Sequence, residues 1–199
     1  MQPETRRDTV EQIRIETARL LLRRFAPQDK DMMIEHERDP VMMRYIRDIA
    51  ADEDILERVD GFLVPWPGEE RTWAALAVIP TDVDTECPIG MVCFRWESFV
   101  DERVEIGYRF HPDFQGRGYA FEAVQGVAKF LFEQLGVLRI VAYCIADNHA
   151  SYRLMEKLGM QREGLLRRHS RIGGVWYDEL VYGMLDTDWR QVPAGAGLE

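Results

Sequence analysis

Cysteine is scarce in this chain: Cys87, Cys93 and Cys144 are the three among 199 residues, and no two of them form a C-x-x-C pair. An odd, scattered set argues against a disulfide framework and against a cysteine zinc site, and it suits a reducing compartment, which we expect to be cytoplasmic. Histidine is little better represented. His36, His111, His149 and His169 show no metal-ligand spacing, so no metal is expected. No apolar run approaches the roughly 20 residues of a membrane span, so no membrane partner is expected. The polar opening Met1 to Gln12 lacks the apolar stretch of a secretory leader. Basic residues are outnumbered, 25 Lys and Arg against 35 Asp and Glu, for a formal net charge of −10. That balance disfavours nucleic acid as a partner. It favours a cationic small molecule or peptide, or simply keeps the chain soluble.

What is present reads as one domain with a sizeable core. Residues 1–12 and 191–199 are expected to be flexible tails, and 13–190 the domain. Ile13 to Arg24, with Leu20-Leu21-Leu22, reads as a first strand. Pro27 opens a helix to about Glu37, with Asp29 and Asp31 near its positive end, and Asp39-Pro40 breaks it. Val41 to Ile46 is read as another helical turn or two. Ile55, Leu56, Val59, Phe62 and Leu63 have amphipathic helical spacing, ended by Pro65-Trp66-Pro67-Gly68. Strands are expected at 72–79, 89–96 and 103–110, a helix to Gly136, and a nearly all-apolar strand at 138–145. A short helix over His149 to Leu158 ends at Gly159. Two final strands, 161–170 and 175–185, flank the hairpin signal Gly173-Gly174. This is an α/β (α+β) order. The strand–helix–strand unit from 103 to 145 should be a parallel crossover inside a mostly antiparallel sheet.

The most informative stretch lies in that unit. Strand 103–110 ends at His111-Pro112, and Gln115-Gly116-Arg117-Gly118-Tyr119-Ala120 leads directly into the helix. Small residues at 116, 118 and 120 let the backbone turn tightly and leave amide hydrogens uncovered. They stand at a helix N-terminus, where amides lack internal partners and the dipole is positive, so phosphate can bind there.

The loop fits the Q/R-x-x-G-x-G/A signature through Gln115, Gly118 and Ala120, and so resembles the GNAT superfamily of acyl-CoA-dependent N-acyltransferases. More narrowly, the chain is similar to the branch of the ribosomal-protein N-terminal alanine acetyltransferases. Four stretches carry that likeness in order: Glu16 to Arg23, Glu105-Ile106-Gly107-Tyr108, Asp147 to Ser151 leading to Glu156-Lys157-Leu158-Gly159-Met160, and Trp176-Tyr177-Asp178-Glu179. The resemblance implies a single GNAT-like domain with helices on both faces of a twisted sheet. Strands 103–110 and 138–145 would splay apart so that the pantetheine arm of acetyl-CoA pairs with backbone. Its pyrophosphate would rest on the amides of 115–120, with Gln115, Gly116, Arg117, Gly118, Tyr119 and Ala120 as the cradle. Arg117 either adds a charge contact or is a solvated loop residue. The branch also allows a homodimer.

Amine acetylation requires a base for the amine, polarisation of the thioester carbonyl and a proton for the departing thiolate. Alternation puts Glu105, Gly107 and Arg109 on one strand face and Val104, Ile106, Tyr108 and Phe110 on the other. Glu105 is the leading candidate for the base; otherwise it is a solvated glutamate, and pairing with Arg109 is disfavoured by a separation of roughly 13 Å along the strand. Asn148 is an N-cap, and Ser151 an early helix residue. By resemblance, Asn148 also contacts cofactor or strand backbone, and the Ser151 hydroxyl faces the departing sulfur. Tyr152 is the other candidate acid, against plain core packing. Backbone N–H groups near Phe110 would polarise the carbonyl.

Energetics favour one acceptor over another. A lysine amine costs about 4.6 kcal/mol to deprotonate at pH 7, an α-amine only about 1–1.4. The acceptor is therefore expected to be a protein or peptide N-terminal α-amine or a small amine. Its pocket should draw on 27–64, the Pro65-Trp66-Pro67 loop and the last hairpin, with Trp66, Trp73, Trp96 and Trp176 either lining it or packing in the core. The alternative is a catalytically silent acyl-CoA-binding sensor or interaction module. A nucleotide-binding fold is disfavoured, because the loop lacks G-x-G-x-x-G and three strands precede it.

Overall fold

The computed structural model describes residues 2–85 and 87–191. The proposed C-terminal tail lies, but for Gln191, outside the described residues. Helix α1 (Pro3–Glu11) leads into strands β1 (Arg14–Glu16) and β2 (Leu20–Arg24). A 3-10 turn at Pro27–Asp29 precedes α2 (Lys30–Arg38), α3 (Pro40–Met43) and α4 (Asp52–Leu63). Then follow β3 (Ala74–Pro80), β4 (Gly90–Ser98), β5 (Arg103–Phe110), α5 (Tyr119–Glu133), β6 (Arg139–Ile145) and α6 (His149–Leu158). The chain closes with β7 (Gln161–Ile172), β8 (Val175–Leu185) and α7 (Asp186–Trp189). The eight strands form one sheet in the order β1-β2-β3-β4-β5-β6-β8-β7, antiparallel throughout except for β5 and β6.

The sheet buries both faces. In β3, Ala74, Leu76 and Val78 enter a core shared with α5 and α6, whereas Ala75 and Ala77 enter a second core with Met33 of α2 and Ile55 and Val59 of α4. The period-2 alternation of a strand produces this partition, and an apolar run such as β3 is what a strand covered on both sides requires.

Two expectations change. The expected tail at 1–12 instead contains α1, and Val10 is fully buried. The helix is tied down by polar contacts that hydropathy does not reveal. The Glu11 carboxylate accepts the Trp66 backbone N–H at 2.7 Å, and the Arg6 guanidinium lies 4.1 Å from the Phe99 ring centroid. The single strand expected over 13–24 is a tight hairpin. The Thr17 hydroxyl accepts the Leu20 N–H at 3.0 Å, a local side-chain bond that turns the chain between β1 and β2.

Among the described residues, no helix is long and apolar enough to cross a membrane.

Candidate functional site

β5 and β6 pair over three residues only, Arg103↔Arg139, Val104↔Ile140 and Glu105↔Val141. Beyond them each strand follows its antiparallel neighbour: β5 stays on β4 as far as Gly90↔Phe110, and β6 stays on β8 as far as Ile145↔Glu179. The two therefore part. His111 donates its N–H to Ile89 on the β4 side at 2.8 Å. Ladder bonds alternate, so the backbone groups of Tyr108 and Phe110 face the opening instead.

The glycine loop sits at the end of that opening. Gly116 (φ 73°) and Gly118 (φ 83°) adopt left-handed backbone, which lets the chain turn into α5. Residues 115–118 are exposed, and among the described residues no acceptor meets the N–H groups of Gly116 to Phe121. The Gln115 N–H is different, because it bonds Pro112 O at 3.1 Å. Gln115 contributes through its side chain, whose amide donates to Phe110 O at 2.9 Å and ties the loop to the strand end.

Arg19 braces the loop from β2's turn. It donates to the Arg117 carbonyl at 3.0 Å and to the Glu122 carboxylate at 2.8 Å, and stacks 4.6 Å from the Tyr119 ring centroid. Burial pulls the Glu122 carboxyl up, but bonds from Thr17 and Arg19 outweigh it and hold the group below its ordinary value. Tyr119 is itself buried and donates its hydroxyl to Asp82 at 2.8 Å. Its side chain is thus a strut, and its contribution to the cradle is its amide. The Arg117 guanidinium lies 5.6 Å from the Phe114 ring centroid.

A cavity of about 330 Å³ lies where the strands part, and Glu105, Tyr108, Asn148 and Ser151 all border it. Glu105 is not solvated: its side chain is 13 % exposed and its carboxylate accepts from Arg95, opposite it on β4, at 2.6 Å. Burial raises its pKa, which Arg95 partly offsets. Arg109 does not pair with Glu105; it pairs with Glu37 of α2 at 2.6 Å.

Asn148 caps α6 by accepting the Ser151 N–H at 3.2 Å. The Ser151 hydroxyl lies 3.0 Å from the Tyr108 hydroxyl, which also reaches Ser151 O at 3.1 Å. Burial pushes the Tyr108 phenol up, so it stays protonated. Strand alternation puts Tyr108 on the face opposite Glu105, and the sequence offers Tyr152 as the other candidate acid beside Ser151. Tyr152 packs against the main core, 5.5 Å from the His149 ring centroid, and does not border the cavity. The partner of Ser151 comes from another element, which local spacing does not encode.

The segment after α3 contributes Tyr45 and Arg47 to the cavity, α4 contributes Phe62, and β8 contributes Glu179. Among the tryptophans, Trp73 borders it, Trp66 and Trp96 stack in the core at 5.2 Å, and Trp176 is exposed on the hairpin. The Pro65-Trp66-Pro67 loop is therefore not a wall of this cavity. Cys93 and Cys144 also border it, but burial pushes their thiols up to about 12 and about 11.

Residues 19–161 match the family model described as an acetyltransferase (GNAT) domain. The uncharacterized N-acetyltransferase YnaD of Bacillus subtilis is 35% identical over 176 residues, covering 88% of this chain and 98% of that protein. A GNAT-family acetyltransferase from Bacillus anthracis superposes with a TM-score of 0.75 at 32% identity, covering 88% of this chain and 99% of that one. The ribosomal protein uS5 alanine N-acetyltransferase of Escherichia coli is 29% identical over 84 residues, 42% of this chain and 43% of that protein.

Proposed function

The chain belongs to the GNAT acetyltransferase family, and from that premise we propose that it moves the acetyl group of acetyl-CoA directly onto an amine at the cavity between β5 and β6. One observation carries the reading: β5 and β6 part after Glu105 beside a cavity bordered by Glu105 and Ser151, and the chain leaving β5 leads into free amides at the head of α5. The amides of Gly116 to Ala120 receive the pyrophosphate, and the backbone of Tyr108 and Phe110 pairs with the pantetheine arm. Asn148 holds the α6 end of the opening.

Glu105 takes the proton of the acceptor amine, directly or through water, and its raised pKa suits that task. The amine nitrogen then bonds to the thioester carbon while a backbone N–H facing the opening stabilises the oxyanion. As the carbon–sulfur bond breaks, the thiolate accepts a proton from the Ser151 hydroxyl, which Tyr108 orients, and solvent returns that proton to Ser151 as Glu105 releases the one it took. No acyl-enzyme is required. Cys93 and Cys144 remain neutral thiols at neutral pH and so are poor nucleophiles.

The acceptor is an α-amine of a peptide or protein N-terminus, or a small amine, and the compartment this implies is the cytoplasm. Thiol release from acetyl-CoA with a mixed panel of amines tests the reading. Turnover that falls about a hundredfold in Glu105→Gln supports it. Coenzyme binding with no thiol released by any amine would leave a silent binder.

A further inference from the structure

Glu37 lies at the cavity with its side chain 2 % exposed, and it is outnumbered. One carboxylate oxygen accepts from Arg109 at 2.6 Å; the other accepts from Arg47 at 2.6 Å and from Arg58 at 2.9 Å. Burial pulls its carboxyl up, but Arg109 and Arg47 outweigh that and hold the pKa at about 2, so the glutamate stays ionised. A carboxylate facing three guanidiniums leaves a local excess of two positive charges.

The donors are also incompletely used. Arg109 has a side chain 9 % exposed, and among the described residues its Nε–H and that of Arg47 meet no acceptor. One of the Arg109 terminal nitrogens finds only the Met43 sulfur, at 3.2 Å, and a thioether is a weak acceptor. Those two Nε–H groups are buried in the wall, but Arg47 and Arg109 both border the cavity and the Arg47 side chain is 38 % exposed, so a ligand carboxylate entering there meets a guanidinium. Acidic groups mark another part of the same cavity. Glu105 stands four residues before Arg109 on the same face of β5, about 13 Å away along the backbone. Glu179 adds a carboxylate from β8.

We infer that the acceptor is a small amine bearing a carboxylate, an amino acid or short free peptide, with the carboxylate seated on Arg109 and Arg47 and the amine turned toward Glu105. The inference rests on the acetyl-transfer reading and narrows it. A guanidinium matches a carboxylate in plane and number of donors, and the pairing is charge-assisted. The excess charge at Glu37 also disfavours acceptors that are wholly cationic.

Matched dipeptides with a free or an amidated C-terminus, which keep the same amine, separate the possibilities. With acetyl-CoA, the free acid should have a kcat/KM at least about tenfold above the amide. Arg47→Gln should shrink that ratio to within about twofold, a change that general structural damage would not produce. Thiol release at equal kcat/KM for acid and amide overturns the inference and leaves acetyl transfer standing. If no dipeptide releases thiol, acetyl transfer to this class fails, and calorimetry of the N-acetylated dipeptides with CoA still decides the anion site. Binding that prefers the acid and loses the preference in Arg47→Gln supports it. Equal binding, or none, overturns it.

Discussion

The hydroxyls of Ser151 and Tyr108 meet at 3.0 Å across 43 residues of sequence. Replacing Tyr108 with Phe leaves Ser151 in place but without its orienting partner. We expect kcat to fall about tenfold or more, with the KM for acetyl-CoA within about twofold. Ser151→Ala should do the same. Steady-state kinetics check this, and a Tyr152→Phe variant that alone abolishes turnover would transfer the role to Tyr152. Glu105 offers an independent test. Burial raises its pKa and Arg95 opposes the rise, so Arg95→Gln should raise it further. The acidic limb of kcat/KM then moves to higher pH. A limb that stays put would remove Glu105 from the role of base.

The junction of β5 and α5 shows how short elements build a binding surface. The loop needs left-handed backbone at Gly116 and Gly118, and any side chain at 118 both strains that geometry and approaches Arg19 at 3.2 Å. Gly118→Val should weaken CoA binding at least about tenfold by calorimetry, because backbone and diphosphate can no longer meet closely. The β5–α5 unit should keep its helical content in circular dichroism. The brace behind the loop behaves differently. Arg19→Ala leaves the Glu122 carboxylate, 8 % exposed, without its guanidinium. That variant should lose stability by about 3 kcal/mol as well as coenzyme affinity, measured by denaturant titration. The loop is thus held by a strut, Arg19, from the turn before β2.

At the scale of the whole molecule, two cores hold one sheet, and a buried histidine makes that arrangement acid-sensitive. His36, 8 % exposed on α2, has its pKa pushed from 6.5 down to about 4 by burial, with Arg109 and His111 adding to the effect. The folded protein therefore binds this proton more weakly than the unfolded chain. Stability is complete above about 6.5 and declines as pH falls from there toward about 4. The loss is on the order of 3 kcal/mol. Melting temperatures across that range should show the decline, and His36→Gln should flatten it. Charge is likewise distributed unevenly. A chain of net charge −10 contains an arginine-rich pocket around Glu37, which local distances decide because bulk charge is screened beyond about 8–10 Å.

Much of the scaffold was legible in the sequence. Helical spacing at 55–63, the all-apolar run at 138–145 and the glycines at 116 and 118 act through neighbours a few residues away. Their outcome is written locally, and α4, β6 and the loop follow it. The polar anchors were not legible. α1 looked like a loose tail because Glu11 holds it through Trp66, 55 residues on. The partner of Glu105 was hidden, because Arg95 reaches it only across the β4–β5 register. The sequence by itself determined the order of elements from α2 to β8 and the left-handed glycine loop, since backbone conformation and apolar periodicity are short-range properties. Which side chains share the cavity, Ser151 with Tyr108 and Arg109 with Glu37, was decided by tertiary structure alone. Those partners lie on separate elements, and only sheet pairing and helix packing bring them within hydrogen-bonding reach.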